Sequence, residues 1–255
     1  MTAITLPEKA LVTGATAGIG EATAAALCEG GTRVLALGRR KERLDSLVEC
    51  YPERLTPVEL DLGAREKTRE DLMELAEAHP DLDLLVANAG LALGRGAAQD
   101  APFEDWERMV DVNVYGLMAT VHAFLPKMVA RGKGDIILVG STAGEYPYPG
   151  GHVYGATKSF VRQLGSNLRA DLLGTGVRVT VLEPGMTHTE FSEVRYKGDR
   201  DTAEAVYQDT RPLEAEDLAE SILWLASRPA HVSVTRLQMM PTDQANGPMR
   251  VHRRE

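Results

Sequence analysis

A doubly wound α/β fold, one parallel sheet of seven strands with helices on both faces, is what this sequence predicts, and three observations carry it. Short apolar, β-prone runs alternate with helical runs along the whole chain. The first of them leads straight into a glycine-rich turn and a helix, the layout that sets backbone N–H groups against a phosphate. The polar residues able to do chemistry stand at the ends of the later strands, the side on which open α/β sheets bind ligands. Its 255 residues suit one large α/β domain or two small ones, and the absence of a linker or repeat favours a single domain spanning residues 1–255.

Residues 9–13 form the first strand, and Gly14-Ala15-Thr16-Ala17-Gly18-Ile19-Gly20 follows before the helix of residues 21–29. The glycines permit a tight turn and close approach by a pyrophosphate. Their spacing, Gly-x-x-x-Gly-x-Gly, differs from the commonest dinucleotide fingerprint, and a purely structural βα turn is the competing reading. Residues 33–38 form the second strand, where NAD-selective folds place an acidic residue against the ribose hydroxyls. Here Gly38 is followed by Arg39, Arg40 and Lys41. Guanidinium groups match a phosphate in shape and charge, so the expected cofactor is NADP(H); a solvated basic start to the next helix is the alternative.

The third strand, residues 56–62, ends at Asp61-Leu62. Asp61 could accept from an adenine amino group or cap the helix of residues 65–78. The fourth strand, residues 82–87, runs into Asn88-Ala89-Gly90, where Asn88 could meet a ribose or brace the sheet. Residues 103–131 read as one long helix or as two broken near Pro126, with Asn113 awkwardly placed between Val112 and Val114. Asn113 is either a satisfied core amide or a polar relay. The fifth strand, residues 135–139, ends at Ser141, a candidate donor to a substrate oxygen; no His/Asp spacing marks it as a nucleophile.

Tyr154 and Lys158 open the next helix four residues apart, on one face. An ammonium beside a phenol favours the phenolate, which makes a plausible proton carrier for alcohol–carbonyl interconversion; a Tyr and a Lys on an ordinary amphipathic helix face is the competing reading of the pair alone. The sixth strand, residues 177–182, leads to Pro184-Gly185. Residues 186–212 have no clear period and carry Arg195, Lys197 and Arg200; a long irregular segment here suits a lid. Arg195, then Lys197, could clamp a substrate carboxylate or be solvated. A helix at residues 213–227, a seventh strand at 235–240 and a polar tail with Arg250, Arg253 and Arg254 complete the chain.

The formal net charge of -9 argues against nucleic acid or anionic membrane as a partner of the whole surface. Cys28 and Cys50 read as reduced structural thiols, and six scattered histidines suggest no metal site. No apolar run approaches the ~18 residues of a membrane span and the N-terminus lacks a secretory pattern, so a cytoplasmic protein is expected.

Thr13 through Gly20, Asn88-Ala89-Gly90, Asn113, Ser141, Tyr154-x-x-x-Lys158 and Pro184-Gly185 occur in that order. The ordered set resembles the short-chain dehydrogenase/reductase family over nearly the whole chain. Gly90-Leu91-Ala92-Leu93-Gly94, Gly38-Arg39-Arg40 and Thr189-Glu190-Phe191-Ser192 are similar to its NADP-dependent 3-hydroxy acid dehydrogenase group, also described as serine or allo-threonine dehydrogenases and malonic semialdehyde reductases. The resemblance implies Tyr154 as proton acceptor or donor, Lys158 as its activator on the nicotinamide ribose, Ser141 as substrate orienter and Asn113 as holder of a water relay. It implies NADP contacts at Gly14, Thr16, Ala17, Gly18, Ile19 and Gly20. Further contacts fall at Arg39, Arg40, Asp61, Leu62, Asn88, Ala89 and Gly90, at Tyr154 and Lys158, and at Pro184, Gly185, Thr187 and Thr189. It also implies a single NADP-binding Rossmann domain and a homotetramer. Met186-Thr187-His188 departs from the smaller, Gly-containing residues usual in the group, which bears on substrate preference. The expected reaction is hydride transfer between NADP(H) and the hydroxyl-bearing carbon of serine, allo-threonine, 3-hydroxyisobutyrate or 3-hydroxypropionate. A reductase for neutral ketones or aldehydes and a non-catalytic NADP(H) sensor are the alternatives.

Overall fold

The computed structural model describes residues 5–247 and residue 251; Arg250, Arg253 and Arg254 lie outside the described residues. Seven strands pair in parallel in the order β3-β2-β1-β4-β5-β6-β7. They are β1 (Lys9–Thr13), β2 (Arg33–Gly38), β3 (Leu55–Glu59), β4 (Leu84–Ala87), β5 (Gly134–Val139), β6 (Val177–Pro184) and β7 (Arg236–Met239). β1 is flanked by β2 and β4, so the order switches direction there and opens a crevice at the strands' carboxyl ends. Successive strand residues face opposite ways. Leu11, Leu85 and Ile136 accordingly join one buried cluster with Leu72, Phe124 and Val161, and Val12, Val86 and Ile137 join another with Leu27, Leu218 and Ile222. Both faces are thus covered, which is why these strands read as continuous apolar runs rather than alternating ones.

The helices are α1 (Gly18–Glu29), α2 (Lys41–Cys50), α3 (Arg65–Ala78), α4 (Phe103–Val110), α5 (Leu117–Arg131), α6 (His152–Asp171), α7 (Phe191–Arg195), α8 (Arg200–Ala205) and α9 (Ala215–Ala226). Cys28 is buried, Cys50 is exposed, and both are free thiols. Among the described residues no helix is long and apolar enough to cross a membrane.

Two segments differ from expectation. The long helix is interrupted not at Pro126, which lies inside α5, but at a widened π-type turn over Asp111–Gly116. Asn113 drives that slip: its amide donates to the Leu91 carbonyl at 2.8 Å and to the Thr157 hydroxyl at 3.0 Å, and its oxygen accepts from the Leu91 N–H at 2.8 Å. Wide turns of this kind are frequent at functional sites. Residues 186–212 hold the two short helices α7 and α8, separated by Lys197 and Gly198 in the left-handed region (φ 55° and 92°). The base of this excursion is closed by hydrogen bonds from the His188 amide to the Leu213 carbonyl (2.7 Å) and from the Leu213 amide to that of Met186 (3.0 Å).

The glycine-rich turn is packed to contact. A Cβ on Gly20 would lie 2.2 Å from the Gly14 carbonyl oxygen and 2.5 Å from the Asn88 amide nitrogen. Gly20→Ala therefore forces β1 and α1 apart, at a cost of about 1–3 kcal/mol. The expected result is a melting temperature several degrees lower with weaker NADPH binding, read by thermal denaturation and fluorescence titration; an unchanged Tm contradicts the tight turn.

Candidate active site

One cleft runs along the carboxyl ends of the strands from Arg39 to Tyr154 and Arg195. Its first wall is the turn before α1. Gly14 sits at φ 67°, a conformation open to glycine at little cost. The N-cap of α1, Ala17, offers no side-chain acceptor, so the first-turn N–H groups remain available to an anion. The turn is fixed from β4: the Asn88 amide donates to the Thr13 carbonyl (2.9 Å), and the Asn88 and Ala89 N–H groups both donate to the Thr13 hydroxyl (3.0 Å). Of the two readings for Asn88, its side chain performs the bracing one.

The cations after β2 do not behave alike. Arg39 lines the cleft and makes no salt bridge within the described residues. Arg40 lines it too, but its guanidinium donates to the Thr16 hydroxyl (3.2 Å) and carbonyl (2.9 Å) and pairs with Glu190 at 2.8 Å. Asp61 accepts from the Gly63 amide (2.9 Å) and from Arg108 (3.0 Å). It does not cap α3, whose N-cap position is Ala64. Burial would raise its pKa, but the Gly63 N–H and the Arg108 guanidinium hold it below the usual carboxylate value. Leu62, Gly90, Pro184, Gly185, Thr187 and Thr189 also line the cleft. The glycine cradle, the uncapped helix terminus and Arg39, which has no salt bridge among the described residues, together fit a dinucleotide bearing an extra phosphate.

At the other end α6 places Tyr154 and Lys158 side by side, 8% and 5% exposed. Lys158 Nζ donates to the Val139 carbonyl at 2.8 Å and lies 6.0 Å from the centre of the Tyr154 ring. Gly90 leaves the space they need, since a Cβ there would stand 3.3 Å from both Lys158 Nζ and the Asn113 side-chain oxygen. Both amide hydrogens of Asn113 are committed to Leu91 and Thr157, so its side chain braces the loop beside Lys158. Ser141 accepts the Ala143 N–H at 3.1 Å, and its side chain also hydrogen-bonds Tyr154.

Burial pushes the Tyr154 phenol up to about 12, against opposing effects of a Ser141 hydrogen bond and the Arg195 charge. The sequence expectation was a phenol lowered by Lys158; here Ser141 and Arg195 are the lowering groups. Lys158 itself is brought down to about 8, because the apolar surroundings disfavour its ammonium.

Of the two cations expected to face substrate, only Arg195 reaches the cleft. Its Nε and one terminal nitrogen donate to the carbonyls of Gly94 (3.1 Å) and Gly150 (3.2 Å). Its guanidinium lies over the rings of Tyr148 (5.4 Å) and Tyr154 (5.6 Å). Lys197 instead turns away and pairs with Asp105 at 2.8 Å, its backbone held at φ 55° by the α7–α8 turn. Sequence reasoning missed Arg108, Glu190, Arg43 and Phe191. Phe191 packs on the Tyr154 ring at 5.5 Å. Only the Thr189-Glu190-Phe191-Ser192 run pointed toward any of them, and it gave no partner.

The Lys158 shift has a consequence for stability. Below about pH 8 the folded chain carries the cost of a buried ammonium. Between about 8 and the ordinary value of 10.5, the unfolded chain holds a proton that the folded chain has released, so stability rises with pH. The Tm of wild type relative to Lys158→Met is predicted to climb from pH 7.5 to 9.5; a constant difference contradicts the buried charge.

A family model for short chain dehydrogenase matches residues 8–199. The chain is 50% identical over 244 residues to the NADP-dependent 3-hydroxy acid dehydrogenase YdfG of Escherichia coli K12, covering 95% of this chain and 98% of that one. It is 48% identical over 239 residues to sulfoacetaldehyde reductase 2 of Chromohalobacter salexigens, covering 92% and 94%. It superimposes on the closed form of a serine dehydrogenase complexed with NADP+ at a TM-score of 0.90, with 48% identity and coverage of 96% and 99%. This protein belongs to the short-chain dehydrogenase family, as an NADP-dependent oxidoreductase acting on CH–OH groups.

Proposed function

We propose that this enzyme interconverts small 3-hydroxy acids and their carbonyl counterparts, with serine, allo-threonine, 3-hydroxyisobutyrate and 3-hydroxypropionate as candidate substrates. The observation that carries the reading is the placement of Arg195 over the Tyr154 ring, with two of its nitrogens anchored on backbone carbonyls. A guanidinium fixed there is preorganised to take the anionic end of a short substrate whose hydroxyl meets Tyr154. The names of the relatives support an anionic substrate: one is a 3-hydroxy acid dehydrogenase and another a sulfoacetaldehyde reductase.

In this reading the turn at Gly14, Gly18 and Gly20 holds the pyrophosphate, and Arg39 and Arg40 hold the 2′-phosphate. Lys158, Asn88-Ala89-Gly90 and Pro184-Gly185 border the nicotinamide half. The bound cofactor supplies the hydride chemistry at its nicotinamide. In oxidation Tyr154 takes the hydroxyl proton, and in reduction it gives it back; Ser141 donates to the same oxygen and orients it. The Ser141 hydrogen bond and the Arg195 charge favour the phenolate, and Lys158, with its own pKa brought down to about 8, can exchange protons beside it close to neutrality. Residues 186–212 act as the lid, placing Arg195 and Phe191 over the reacting carbon. Assembly as a homotetramer belongs to the same reading.

The test is an NADP+-linked comparison of each acid with its methyl ester. Wild type is expected to prefer the acid. Arg195→Ala is expected to lower kcat/KM for the acid about 10- to 100-fold more than for the ester, the value of a charge-assisted hydrogen bond, any loss shared by both reporting the Arg195 charge on Tyr154. Equal turnover of acid and ester by wild type would instead establish a reductase for neutral carbonyls.

A further inference from the structure

Glu190 stands where an NADP site has no evident need of a carboxylate. It precedes α7 at the start of residues 186–212, and it lines the cleft. Its two oxygens reach Arg40 at 2.8 Å and Arg43 at 2.6 Å, across about 150 positions of sequence. Burial would raise its pKa, but hydrogen bonds from Arg40 and Arg43 hold it below the usual glutamate value, so it is a carboxylate at neutral pH. Both arginines also grip the first wall of the cleft: Arg40 through the Thr16 hydroxyl and carbonyl, Arg43 through the Thr16 carbonyl at 3.1 Å.

The residues on either side of Glu190 touch the two ends of the site. The Thr189 side chain would lie 3.0 Å from a Cβ on Gly18, in the turn before α1. The Phe191 ring packs against that of Tyr154 at 5.5 Å. Three consecutive residues thus connect the phosphate turn, the guanidinium cluster and the phenol.

We propose that Glu190 is a specificity-determining residue of the NADP site, whose carboxylate competes with the cofactor's 2′-phosphate for the Arg40 guanidinium and so couples cofactor choice to the clasping of residues 186–212. A guanidinium already neutralised by Glu190 offers less to an incoming phosphate. When the phosphate draws Arg40 away, Arg43 retains Glu190, so the clasp loosens without releasing. NAD(H), which lacks that phosphate, leaves the triad as it stands. The inference rests on the reading of residues 186–212 as a lid and makes no use of the substrate assignment.

The predicted signature has opposite signs, which a merely structural residue does not produce. Glu190→Gln removes the competing charge and one anchor of the lid. NADPH is then expected to bind about three- to fivefold more tightly, the upper range for a partly exposed ion pair, while NADH affinity stays within about twofold. Trypsin cleavage after Lys197 in the cofactor-free chain is expected to quicken by a similar factor. Glu190→Asp, which keeps the charge, is expected to return NADPH affinity toward wild type. Both affinities are read by fluorescence titration without substrate, on variants whose far-UV circular dichroism matches wild type. If Glu190→Gln leaves NADPH affinity unchanged, weakens NADPH and NADH together or leaves cleavage unchanged, the proposal is overturned. Failure of wild type to oxidise any 3-hydroxy acid would overturn the substrate assignment and leave this result standing.

Discussion

Burying a phenol and an ammonium beside each other is costly, since neither charged form is welcome away from water, and much of this structure is arranged around meeting that cost at Tyr154 and Lys158. The ammonium is given one strong acceptor, the Val139 carbonyl at the end of β5. The loop after β4 must then come close enough to exclude water, which Gly90 permits and Asn113 enforces by binding both the N–H and the C=O of Leu91. Asn113 makes these bonds from the widened turn over Asp111–Gly116. Gly144 completes the enclosure: a Cβ there would fall 2.7 Å from the Lys158 backbone, so only glycine lets the turn after β5 lie against α6. The ends of β4 and β5, the wide turn and α6 form one mechanical unit, and its product is a lysine near pKa 8 beside a phenol near 12.

The guanidinium groups divide the rest of the chemistry. Arg39 makes no salt bridge among the described residues and acts on Asp61 only through its charge, Arg40 and Arg43 share Glu190, Arg108 holds Asp61, and Arg195 is fixed on two carbonyls above Tyr154. An arginine whose fork is already anchored loses little freedom when it takes a ligand. That separates Arg195, positioned to recognise an anion, from Lys197, whose single ammonium is neutralised by Asp105 on α4.

The parts legible from sequence were those set by local chemistry. The strand-turn-helix layout around Gly14–Gly20, the alternation of seven β-prone runs with helices and the Tyr154/Lys158 spacing each depend on residues a few positions apart; right-handed crossovers restrict the strand order without fixing it. What sequence left open depends on partners far away in the chain. The break at Asn113 rather than Pro126 turns on Leu91, 22 positions earlier. The pairing of Arg40 with Glu190 spans 150 positions, so two basic residues that looked equivalent proved different. Lys197 looked like a clamp because charge and loop position said so, and its direction was decided by a left-handed backbone at a turn that periodicity could not reveal.

The central claim is that the buried Tyr154 hydroxyl carries the proton while the remainder of the cleft holds cofactor and substrate. Single-turnover oxidation of a 3-hydroxy acid by Tyr154→Phe, with NADP(H) affinity measured on the same preparation, tests it most directly. The account predicts a hydride-transfer rate lowered about 10²- to 10⁴-fold, the usual worth of a positioned acid–base group, with cofactor affinity within a few-fold of wild type. A variant that transfers hydride at close to the wild-type rate would contradict it.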